Sequence, residues 1–134
     1  MADEKCVALK CDVKDIFDKD LKQAVLQQIK KTIQTMVDKT NGLAFDERCK
    51  DGWMLTATVV SLKVDNADNP KVMEAKVLVE GVPLFGTAKG FKASGNSKTS
   101  GINAKKMENE AKSFVNDALK DVMTKQVLPQ MLKS

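Results

Sequence analysis

Histidine and tyrosine are absent from this 134-residue chain, and aromatic residues of any kind make up only 4% of it. Without histidine there is no Ser-His or Cys-His nucleophile pair, no imidazole proton shuttle at neutral pH, and none of the commonest metal ligand. Carboxylates and lysines can catalyse, but no pair of them stands out by spacing. The expectation is a non-enzyme with no catalytic residue, no metal and no cofactor. One Trp and five Phe are too few for the stacking platforms that hold single-stranded bases. Charge is nearly balanced: 22 basic against 18 acidic residues leave +4, without the dense patch of a nucleic-acid binder. Nucleic acid is therefore not an expected partner, and an anionic surface would attract the chain only weakly.

Long apolar runs are missing too. None approaches the ~20 residues needed to cross a bilayer, so no transmembrane segment is expected. The opening residues carry acids and only a short apolar stretch, which is not a secretory signal. The expected compartment is the periplasm or envelope if a leader has been removed, and the cytoplasm otherwise. Cysteine is scarce and odd in number, at Cys6, Cys11 and Cys49, with no CxxC pair. Half-buried thiols acting as small hydrophobes are one expectation. A disulfide such as Cys11–Cys49, tying the first segment to the loop before Trp53, is another, conditional on an oxidising compartment, and a reactive nucleophilic Cys without any His is the remainder.

What is present is an ordinary globular balance, 43% apolar and 30% charged, at a length that fits one domain, residues 1–134. Val7, Leu9, Cys11 and Val13 alternate with polar residues, the period of a half-buried strand. Asp18 or Asp20 then caps a helix whose stripe is Leu21, Val25, Ile29, Ile33 and Met36 or Val37. Asn41-Gly42 ends it. A short strand over 43–47 and a polar turn precede Trp53–Val64, the clearest strand signal. Leu55, Ala57 and Val59 hold one parity and Val60, Leu62 and Val64 the other, a switch that a β-bulge or a change of covered face would produce.

Residues 65–70 read as a turn, and Val72–Glu80 alternates cleanly as the returning strand of a hairpin. Val82–Ala93 reads as a third strand of the meander, weakened by Gly86 and Gly90. Ser94–Gly101 (SGNSKTSG) has the composition of a flexible loop. Asn103, with a staple between Ile102 and Met107, then caps a second long helix that Pro129 closes. The sum is an α+β fold: a two-layer sandwich with two long amphipathic helices on one face of a mainly antiparallel sheet of three to five strands.

Within that frame the candidate partner-binding residues fall in two places. Lys89, Lys92 and Lys98, with Phe91 as an anchor, lie in the Gly-rich segment 86–101. Its glycines and lysines would suit an anion or a docking partner, but it lacks the GxxxxGK[ST] order of a phosphate loop. Val127, Leu128, Met131 and Leu132 form an apolar tail beyond the stripe the sheet needs. If exposed, it would mark an oligomer or partner contact. Trp53 is expected at a core edge, and the methionines as core filling.

The order of CVALKC, DLKQAVLQQIKKTI, GWMLTATVVSLKV, KVMEAKVLVEGV and the closing helix through Val127-Leu128-Pro129 resembles a small periplasmic α/β domain. That domain occurs in the amino-terminal part of TolB and in the curli-secretion and penicillin-binding-protein-activator lipoproteins. The Gly-aromatic pair that commonly opens a strand there corresponds to Gly52-Trp53. The resemblance implies a non-enzymatic adaptor docking through a sheet edge or helical face. The expected function is a protein-binding or assembly module of a bacterial envelope or secretion-type complex, with a protein partner or self-association. The alternatives are a structural subunit of a ring or tail-like phage or injection assembly, and a carrier of an apolar ligand.

Overall fold

A computed structural model describes residues 5–65, 72–86, 89–100 and 107–133. The expected turn at 65–70 and the capping Asn103 with Ile102 lie largely outside these residues. Strand β1 (Lys5–Val13) leads through a single 3-10 turn into helix α1 (Lys22–Asp38). Asp18 caps that turn, its Oδ1 accepting from the Asp20 N–H at 2.9 Å. Gly42, at φ +94°, makes the left-handed turn after α1 that L-residues avoid, and the chain enters β2 (Leu43–Phe45).

Strand β3 (Trp53–Asp65), strand β4 (Val72–Pro83) and strand β5 (Phe91–Ser100) follow, then helix α2 (Met107–Val122). The helix continues through a π-turn over Met123–Val127 into α3 (Leu128–Lys133). The sheet is open and mixed, in the order β2-β1-β3-β4-β5. The expected antiparallel meander is its β3–β5 half, whereas β1 runs parallel to both β2 and β3. Parallel neighbours normally need a long crossover. Here β2 stops level with Val7, where β3 starts beside the same residue. The loop 46–52 therefore only has to step around β1 at that level.

Residue parity decides the layers. Val7, Leu9, Cys11 and Val13 of β1 share a face with Trp53, Leu55, Ala57 and Val59 of β3. That face continues through Met73, Ala75, Val77 and Val79 of β4 to Ala93 and Gly95 of β5. These residues form one core with Val25, Ile29, Ile33 and Val37 of α1 and Ala111, Val115, Leu119 and Val122 of α2. The register slips between Val59 and Ser61, so Val60 stays outward while Leu62 is brought round to full burial. Of the two readings of the parity switch, a bulge or a change of covered face, the structure has the bulge, but Val60 does not share the buried side of Leu62.

Three expected features come out differently. SGNSKTSG is strand, not loop: Phe91–Ser100 pairs with β4 along its whole length, from Phe91 opposite Gly81 to Ser100 opposite Val72. Strand β4 runs on to Pro83 and the next strand begins only at Phe91, so the strand expected over Val82–Ala93 is replaced by a connection at 84–90. Pro129 also fails to close the second helix. It would leave the Lys125 carbonyl without a donor and crowd it. The wider π-turn just before it absorbs the misfit, and Met123, Val127 and Met131 keep facing the core.

Candidate protein-docking surface

The residues expected to bind a partner separate by parity and helix phase. Lys92 and Lys98 of β5 are exposed on the sheet face opposite the helices, with Lys98 paired to Glu74 at 3.4 Å. Lys89 is exposed in the connection before β5. Phe91 is no free anchor. Its half-buried ring faces the core side, lies over Gly81 where a Cβ would stand 2.4 Å away, and meets the Trp53 ring at 5.3 Å. Trp53 is itself 4% exposed, a core-edge residue as expected.

The carboxy-terminal tail is mostly core. Val127 and Met131 are fully buried and Leu128 packs against them, so these three are not available to a partner. Only Leu132 remains 47% exposed, beside Gly42. Lys5 fixes the tail's position, its Nζ donating to the Met131 carbonyl at 3.2 Å.

The bare face of the sheet is where side chains stand uncovered. Met54, Thr56, Leu78 and Glu80 are half-buried there, and Val82 is 55% exposed. Phe85, just past the end of β4, is 79% exposed. Two clefts open along the β4–β5 border. One, of about 360 Å³, is lined by Glu74, Lys76, Asn96, Ser97 and Lys98, and another, of about 210 Å³, by Glu80, Gly81, Val82, Gly90, Phe91 and Lys92. Sequence reasoning missed Val82 and Phe85. The signal was there, since Val82 sits at the outward parity of its strand and Phe85 follows in a short connection.

Among the described residues no strand pairs beyond β5, and its outer edge meets a Gln126 Nε2 bond to the Ser94 carbonyl at 3.3 Å. Unpaired edges attract other strands, and outward lysines are a common deterrent. A β5–β5 pairing centred on Gly95 would set Lys92 opposite Lys98, a repulsive cross-strand pair. The edge is thus biased against its own copy in that register and toward a strand bearing acids.

The cysteines pair differently from the expectation. The disulfide joins Cys6 to Cys49, and Cys11 is free. Cys6 and Cys11 are five residues apart on one strand, so they point to opposite faces. Cys49 rides the 46–52 loop around the bare side of β1, within reach of Cys6 only. Gly52 passes so close that a Cβ there would lie 1.8 Å from the Cys6 carbonyl oxygen. Among the described residues Cys6, Cys49 and Asp51 also form a cluster of metal-ligand type, but the disulfide uses both sulfurs.

Cys11 faces the helices, and burial pushes its thiol up to about 11, with Lys30 pulling slightly the other way. Thiolates, not thiols, are nucleophiles. At pH 8 the folded protein is therefore expected to take up a single iodoacetamide, roughly ten- to a hundredfold more slowly than an ordinary thiol. Mass spectrometry over time checks it, and rapid labelling at two or more sites would contradict both the burial and the disulfide.

No protein-family model matches the chain, and no curated protein matches it in sequence. Its fold is nonetheless shared with solved bacterial proteins at low sequence identity. The hypothetical protein CT253 of Chlamydia trachomatis superposes with a TM-score of 0.63 at 8% identity, covering 90% of this chain and 94% of that one. PelC of Paraburkholderia phytofirmans, a dodecamer, gives 0.61 at 12% identity over 92% and 89%. Rare lipoprotein B of Shewanella oneidensis gives 0.54 at 12% over 94% and 96%. At these identities the likeness is one of fold. No helix among the described residues is long and apolar enough to cross a membrane.

Proposed function

We propose that this chain is a non-enzymatic protein-binding module of a bacterial envelope complex. It docks a protein partner on the bare face of its sheet and along the β5 edge. The observation that carries this reading is the division of labour across the sheet. Both helices cover one side, and the other presents Met54, Leu78 and Val82 between charged residues, beside an open edge. An uncovered sheet face with a neighbouring strand edge suits strand addition, in which backbone bonds supply affinity and alternate side chains supply choice. Lys92 and Lys98 favour an acidic partner strand. The fold shared with rare lipoprotein B supports an envelope setting, and the disulfide fits an oxidising compartment. No cluster of acid and base groups around a substrate-sized pocket emerges among the described residues to favour catalysis.

A second reading, a subunit of a closed ring, draws support from the dodecameric PelC fold. Light scattering over a wide concentration range separates the two: a protein that stays monomeric argues against the ring. The docking face itself is tested by photocrosslinking in the native host. A crosslinker placed at Val82 or Lys92 is expected to trap a discrete adduct, while one at exposed Gln27 of α1 traps none. Lys92→Glu together with Lys98→Glu is expected to abolish the adduct without lowering the melting temperature. Adducts from Gln27 alone would sink the assignment.

A further inference from the structure

The interface between α1 and α2 is apolar for most of its length, with Ile29, Ile33, Val115 and Leu119 all in the core. At one level it turns polar. Thr32, only 7% exposed, donates its hydroxyl proton to Oδ1 of Asn116, and Gln28 Nε2 lies 3.4 Å from both oxygens. With Oδ1 engaged by donors on α1, the Nδ2 protons of Asn116 are unspent among the described residues.

Above this level the helices part into an open cleft of about 270 Å³, lined by the same three residues with Lys31, Thr35, Met36, Lys39 and Lys120. Three lysines line it, Lys31 on α1, Lys39 at the end of α1 and Lys120 on α2, with no carboxylate in the lining. The ion pairs of the described residues engage Lys30, Lys63, Lys98 and Lys125, and none of these three. A polar trio that merely fixed helix register would need no lysines around it. Like charges lining one cleft raise its positive potential and favour an anion there.

We infer that this interhelical cleft binds a phosphate group. A phosphate offers several acceptor oxygens in a tetrahedral array, which suits separated ammonium donors plus an amide better than a carboxylate's two. The bound group spans the helices, with Lys31 and Lys39 on one side and Lys120 and the Asn116 amide on the other. The cleft leaves room for whatever the phosphate is attached to, either a soluble phosphorylated compound or the headgroup of an anionic phospholipid. It lies on the helical side of the molecule, away from the bare sheet face, and stands independently of the partner proposed there.

Inorganic phosphate and vesicles distinguish the sources. Titrating sodium phosphate against sodium chloride at equal ionic strength is expected to shift the Asn116 and Gln28 side-chain amide resonances saturably, with phosphate only. Lys31→Gln with Lys120→Gln is expected to weaken that binding about fivefold or more. Lys22→Gln with Lys50→Gln removes the same charge elsewhere and is expected to leave it unchanged. Sedimentation with phosphatidylglycerol–phosphatidylcholine vesicles, but not with phosphatidylcholine alone, and loss of it in the first double variant would assign the group to a lipid headgroup. Saturable phosphate binding without sedimentation assigns it to a soluble compound. If neither probe binds, or both double variants weaken binding equally, the site does not exist.

Discussion

Replacing Cys6 or Cys49 with serine is expected to destabilise the protein by about 4 kcal/mol, whereas Cys11→Ser is expected to cost about 1 kcal/mol or less. The larger figure follows from the sequence separation of 43 residues that the bond closes, since longer closed loops restrict the unfolded chain more. The native side adds to the effect. Strand β2 is only three residues long, and the loop that leaves it is held by the Asp46 N–H to Val7 carbonyl bond at 2.9 Å and by the disulfide. Without the bond, β2 stays anchored by buried Leu43, while the crossing loop keeps its local turn bonds at Asp46, the exposed Lys30–Glu47 pair and the Leu84 N–H to Gly52 carbonyl bond. Urea unfolding of the three serine variants, with and without dithiothreitol, checks the expectation. Equal midpoints for wild type and Cys6→Ser would overturn it, as would reductant acting on Cys11→Ser no more than on Cys6→Ser.

The same cysteines show where the sequence was legible and where it was not. Strand alternation was readable at Val7, Leu9, Cys11 and Val13, and it places Cys6 on the opposite face from Cys11. Taken seriously, parity alone excludes a bridge from the helix-covered face to a loop on the bare one. The pairing with Cys49 needed the path of the 46–52 loop, which follows from β2 ending where β3 begins. No residue pattern announces that.

Strand β5 was illegible for a different reason. After Phe91 its inward positions are Ala93, Gly95, Ser97 and Thr99, too small or polar for a hydrophobic alternation. Packing explains the choice. Helix α2 comes so close that a Cβ on Gly95 would meet Val122 Cγ2 at 2.6 Å, so at the middle of the strand no side chain fits. A strand selected for thinness has the composition of a loop. Conversely, the steps of four through Leu119, Met123, Val127 and Met131 did announce a continued buried stripe, and Pro129 obscured it. The polar cleft between the helices was invisible because Thr32 and Asn116 are far apart in sequence, and each alone is an ordinary helix residue.

Leu62→Ala is expected to cost about 3 kcal/mol, and Val60→Ala less than about 0.5 kcal/mol, although the two differ by one residue between them on one strand. An unbroken β3 would put Val60 and Leu62 on the same side, both away from Val59. The bulge separates them. Val59 pairs with Val77, Ser61 with Lys76 and Leu62 with Ala75, leaving Val60 as the unpaired extra residue. Leu62 is then anchored from both flanks, its N–H donating to the Asp15 carbonyl at 2.8 Å and its carbonyl accepting from the Phe17 N–H at 2.9 Å. Those bonds extend the β1–β3 contact past Val13 and fix the start of the path into α1. Truncating a fully buried leucine removes its transfer energy and leaves a cavity that this pinned backbone cannot close. Val60, 37% exposed, loses only partial contacts. Denaturant midpoints of the two variants, with unchanged slopes, measure the difference. Similar losses would mean that the strand runs without a bulge and that the face beyond residue 60 is assigned the wrong way round.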